Sequence, residues 1–107
     1  MSNADKLSSG TKIEIGGVER EIKLNLGAWR RVERETGKNV ANGELWKNPG
    51  IDEIVVIVWA GINDKTLSID DVGDMLDLSD LPRINEALGR EIARANGKPE
   101  NEKKSDE

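Results

Sequence analysis

Cysteine, histidine, tyrosine and phenylalanine are all absent from this chain of 107 residues. Without cysteine there is no disulfide, no thiol nucleophile and no zinc-thiolate site. Without histidine the usual general base at neutral pH and the commonest transition-metal ligand are missing too. Aromatic side chains are limited to 3 tryptophans, so any core has to be built from aliphatic residues. Positive charge is in deficit, with 16 Lys and Arg against 21 Asp and Glu for a net charge of −5. An acidic chain is poorly suited to phosphate backbones, which are bound through Lys and Arg that displace counterions. No apolar run approaches the roughly 20 residues a bilayer requires, and no charged-then-apolar leader opens the chain. These absences argue against an enzyme, a cofactor or metal, nucleic acid and a membrane, and they fit a cytoplasmic protein.

At this length there is room for one domain with a modest core. Residues 1–10, with Ser2, Asn3, Asp5, Ser8 and Ser9, are polar and aperiodic and are expected to form a flexible arm. Residues 11–97 carry all the periodic signals. Residues 98–107 are charged or polar apart from one proline, the composition of a disordered tail that could serve as a linker or a tether.

Within the domain, Gly16-Gly17 separates two alternating runs at the two-residue spacing of a primed hairpin turn. That turn pairs Ile15 with Val18, Ile13 with Arg20 and Thr11 with Ile22. Ile13, Ile15, Val18, Ile22 and Leu24 then share an apolar face, and Lys12, Glu14, Glu19, Glu21 and Lys23 share a solvated one. Two strands are not stable alone, so the apolar face must lie on helices.

Asn25 is placed to cap a helix that runs to Thr36 and stops at Gly37. Its Arg30, Arg31 and Arg34 read as an exposed face with an Arg31–Glu35 pair rather than as a nucleic-acid patch. Ser68, with Asp71 at the capping-box position, opens a short helix to about Asp77. Ser79 or Asp80 opens the last one, with Pro82 in its first turn, a seam of Leu81, Ile84, Leu88 and Ile92, and a Glu86–Arg90 pair. The acidic residues between Asp64 and Asp80 do not have EF-hand spacing, and carboxylates at helix starts are favoured there without any catalytic role.

The densest apolar stretch is Ile51 to Ile62. Ile51, Ile54, Val55, Val58, Trp59 and Ile62 fall on one helical stripe, behind the punctuation of Pro49-Gly50. Val56, Ile57 and Ala60 form a second apolar face. A helix apolar on both sides is either enclosed by the hairpin and its neighbouring helices or presents one side to a partner or a second copy. Trp46, in the connection before Pro49, is either a partner anchor or a plug at the edge of the domain. The fold class expected is α+β, an N-terminal hairpin packed on a small group of about four helices.

The order of these signals resembles a known family. Gly16-Gly17 with its extended run, Leu26-Gly27-Ala28 opening a helix that closes on Glu33-x-x-Thr36-Gly37, Ala60-Gly61-Ile62, and Leu67-Ser68-Ile69-x-x-Val72-Gly73 are similar to the small tail assembly chaperones of long-tailed bacteriophages. The likeness is strongest to the branch that includes a gene-transfer-agent tail protein, and it extends from Gly16 to about Gly97. It implies a non-enzymatic cytoplasmic protein of the bacterial host cell that coats the tape-measure protein and recruits tail-tube subunits. Trp46, Val56, Ile57 and Ala60 are then the expected partner-binding residues. The competing expectation is a structural tail-tube or connector subunit of a phage or prophage particle.

Overall fold

The structure is a computed structural model, and it describes residues 10–41, 43, 45 and 49–95. Strands β1 (Thr11–Ile15) and β2 (Val18–Ile22) form a two-stranded antiparallel hairpin. Among the described residues they are followed by α1 (Leu26–Thr36), α2 (Ile51–Ile62), α3 (Ile69–Met75) and α4 (Leu81–Ala95), with a 3-10 turn at Leu78–Asp80 leading into α4. The α+β class expected from the sequence is the class observed.

The hairpin register is the one its turn dictates. Ile15 pairs with Val18, Ile13 with Arg20 and Thr11 with Ile22, and both turn glycines adopt positive φ, at 64° and 79°, where a side chain would be strained. Ile13, Ile15, Ile22 and Leu24 enter the core, whereas Val18, expected beside them, is 51 % exposed at the tip. Arg20 lies among the apolar positions and reaches across to Asp64 at 3.3 Å, tying β2 to the loop after α2.

Helix boundaries follow their caps. The Asn25 side chain accepts from the Ala28 N–H at 2.9 Å, and Gly37 ends α1 in the left-handed conformation. Ser68 and Asp71 bond reciprocally, each side chain accepting from the other's backbone N–H at 3.0 Å. Glu53 accepts from the Gly50 N–H at 2.7 Å at the start of α2. The expected Arg31–Glu35 pair gives way to a different bond: Arg31 turns inward and donates to the Ala60 carbonyl at 2.9 Å. The last carbonyls of a helix have no intrahelical donor and carry partial negative charge, so a guanidinium from the neighbouring helix is a better fit there than on an exposed carboxylate.

Helix α2 packs against α1, α3 and β2, while α4 packs against both strands of the hairpin. β2 passes so close over the end of α2 that a Cβ on Gly61 would lie 2.6 Å from Ile22 Cγ2, and the Lys23 N–H donates to the Gly61 carbonyl at 3.0 Å. On α4, Glu91 is 1 % exposed. It accepts from the Thr11 hydroxyl at 2.7 Å, the Leu24 N–H at 3.0 Å and Arg94 at 2.6 Å. Burial works against its charge, but the Arg94, Leu24 and Thr11 donors together outweigh it and hold the carboxyl below the usual glutamate range. Residue 91 therefore clasps both ends of the hairpin to the last helix.

Candidate functional site

The second apolar face of α2 is not a surface. Val56 is 8 %, Ile57 2 % and Ala60 0 % exposed, because the elements packed on α2 close over this face and remove it from water. The alternative in which these residues meet a partner is corrected accordingly: within the folded chain they are core. Trp46 lies outside the described residues. Trp59, on the same helix, is half-buried and donates its indole N–H to the Leu67 carbonyl at 3.1 Å, anchoring the loop before α3.

The apolar surface that remains lies elsewhere. A groove of about 240 Å³ runs between the first half of α2, the end of α3 and the start of α4, lined by Ile51, Ile54, Val55, Leu76, Leu78 and Leu81 among others. Ile54 and Ile84 form a buried floor, while Ile51 and Leu78 stand at the edges 54 % and 72 % exposed. Each element contributes for a local reason. Ile51 is the first residue of α2 and has no preceding turn to cover it. Leu78 sits in the 3-10 turn, which lifts it out of the helical seam that begins at Leu81. Gly73, on α3, leaves the wall low: a Cβ there would lie 3.6 Å from Val55 Cγ1.

The charge left unpaired around the groove is acidic. Between Pro49 and Pro82 the only basic residue is Lys65, against Asp52, Asp70, Asp74 and Asp77 among several acids. Asp77 lines the groove, and Asp52 and Asp74, adjacent in sequence to lining residues, are exposed. None of these three has an ion-pair partner among the described residues, whereas Glu53 pairs with Lys38 and Asp80 with Arg83. Arg83, followed by the Asp77 N–H, holds the Asp80 carboxyl below its ordinary range.

A second depression, of about 250 Å³, lies between β1 and α4. Its lining mixes signs: Lys12, Glu14, Arg83, Glu86 and Arg90. Arg90 is paired to Glu86 at 2.9 Å, and Arg83 donates to the Glu14 carbonyl at 3.1 Å as well as pairing with Asp80, so little unpaired charge is left to hold a ligand. No group of three or more Asp or Glu residues among the described residues is arranged to bind a metal, and no helix among them is long and apolar enough to cross a membrane.

The α2–α3–α4 groove is smaller than the roughly 300–1,000 Å³ typical of small-molecule sites. Its lining comes from helix side chains, and its edges are aliphatic and protruding. Such a surface accepts apolar side chains from another protein. Comparison with protein-family models, with curated proteins and with solved structures finds no match to this chain.

Proposed function

We propose that this protein is a non-enzymatic tail assembly chaperone of a long-tailed bacteriophage or prophage. It binds the tape-measure protein in the host cytoplasm and helps to recruit tail-tube subunits. The observation that carries this reading is the apolar groove with exposed Ile51 and Leu78 on an otherwise acidic domain. A long helical protein awaiting assembly needs its apolar stripe covered, and a small domain with a complete core of its own and a separate apolar groove can supply that cover while its charge keeps the complex soluble. The order of glycine and aliphatic signals from Gly16 to Gly97 supports the same reading.

A second reading, a structural tail-tube or connector subunit, draws on apolar side chains outside the groove lining: Val18, 51 % exposed, and Leu26, 81 % exposed. A subunit fixed in a ring would cover these against its neighbours.

Co-expression with the tape-measure protein, followed by size-exclusion chromatography with mass determination, tests the proposal. A soluble complex that fails to form when this chain is omitted is the expected result. A tape-measure protein equally insoluble with and without it, together with this chain in purified mature particles, overturns the chaperone reading in favour of the structural one.

A further inference from the structure

We infer that the α2–α3–α4 groove takes an amphipathic helix of a partner protein whose apolar stripe is flanked by Lys or Arg. This deepens the proposed function and rests on it only in taking the groove to be the partner site. Three observations select the occupant. First, the groove is walled by side chains of three helices and a 3-10 turn and exposes no strand edge. Main-chain pairing is therefore unavailable there, and recognition runs through side-chain anchors at i, i+3 or i+4, and i+7. Second, the uncompensated charge is acidic: Asp77 lines the groove, Asp52 and Asp74 follow lining residues in the sequence, and all three lack ion partners among the described residues. A helix with acidic flanks would be repelled, and one with basic flanks is steered in and oriented. Third, two segments of the chain that carry basic residues are poor occupants. Residues 96–107 have Pro99 as their one apolar side chain. The exposed basic face of α1, with Arg30 and Arg34, presents Leu26 as its exposed large apolar residue, which is too narrow a stripe to fill a groove with two aliphatic edges.

The test uses the full chain and two synthetic peptides of about 18 residues, long enough to be partly helical in water. Both carry leucine at helical spacing; one has lysine on its flanks and the other glutamate. The Leu/Lys peptide is expected to bind at least about tenfold more tightly than the Leu/Glu peptide by isothermal titration. Leu78→Asp is expected to abolish binding of the Leu/Lys peptide although it adds negative charge, which separates docking in the groove from general attraction to an acidic protein. Because Leu78 is 72 % exposed, its thermal melt should match that of the parent chain. The double variant Asp74→Lys, Asp77→Lys is expected to reverse the peptide preference.

Equal binding of the two peptides overturns the inference, as does full binding by Leu78→Asp. So does a stable dimer of the chain that is dispersed by both Leu26→Asp and Leu78→Asp, since the groove would then belong to a second copy. The two proposals fail separately. A tape-measure complex that persists in Leu78→Asp removes the groove and keeps the chaperone. Groove-dependent binding of the Leu/Lys peptide alongside failed co-expression keeps the docking chemistry and removes the tape-measure assignment.

Discussion

Glu91 illustrates how a carboxylate can occupy a position that the period of its helix turns inward. It follows Ile84, Ala87 and Leu88 on the buried stripe and is tolerated there because the first residue of β1 and the chain leaving β2 both direct donors at it. Its spacing from those three residues puts Glu91 on the stripe, but nothing in the local sequence names its partners, since Thr11 and Leu24 are far from it along the chain. Removing the carboxylate strands the buried Leu24 N–H, which costs about 1.5–3 kcal/mol, whereas the half-exposed Arg94 can turn to water. Glu91→Ala is therefore expected to lower stability by about 2–3 kcal/mol in urea unfolding, with Glu91→Gln, which can still accept from Leu24, recovering part of the loss. Arg31 and the edge residues of the groove follow the same logic. Arg31 was legible as a surface cation but not as the donor to Ala60, and Ile51 was legible as part of an inward stripe but not as a residue that the fold leaves half uncovered.

At the level of elements, two glycines in helices have opposite roles. Gly61 in α2 is buried where β2 crosses, and an added methyl would meet Ile22 Cγ2 at 2.6 Å and Leu24 Cδ2 at 3.1 Å. Overpacking of this kind costs about 1–3 kcal/mol, more than the roughly 0.5–1 kcal/mol that alanine returns to a helix interior. Gly89 in α4 is exposed and a methyl there meets nothing within 4 Å. The expected outcomes are a lower melting temperature for Gly61→Ala and a higher one for Gly89→Ala, the latter worth about 0.5–1 kcal/mol. A melting temperature raised by Gly61→Ala would show that hairpin and helix do not approach as closely as described. The elements themselves were readable because their determinants are local: Gly16-Gly17 for the turn, Asn25 and Ser68 for caps, Gly37 for a stop. Leu78–Asp80 was less so, since a single 3-10 turn leaves no period to detect.

For the whole molecule, the carboxylates that join elements set the response to acid. Lys38 and the Gly50 N–H lower Glu53, the Thr66 hydroxyl and N–H lower Asp64, and Arg83 and the Asp77 N–H lower Asp80. Glu91 is lowered by donors that outweigh its burial. A carboxyl depressed in the folded state contributes stability that is fully present above its unfolded value, about 4, and is lost as pH falls through the depressed folded value. The midpoint of urea unfolding is therefore expected to be level from neutral pH to about pH 5 and to drop steadily below about pH 4. A midpoint that stays constant to pH 2 would contradict these linkages. Glu91→Gln should flatten part of the drop, since it removes a carboxyl that bridges the hairpin and α4.

The sequence by itself determined the hairpin and its register, the extents of α1 and α2, and the absence of cysteine and histidine chemistry, because each depends on residues close along the chain or on composition. It also showed that α2 is apolar on two sides. Whether the second side was core or surface depended on how much of α2 the other elements cover, a quantity no local pattern contains. Only the tertiary structure decided that Val56, Ile57 and Ala60 are enclosed, and that an apolar groove opens where α2, α3 and the 3-10 turn meet. The groove exists because Ile51, Gly73 and Leu78, separated in sequence and unremarkable singly, are brought side by side when those helices pack.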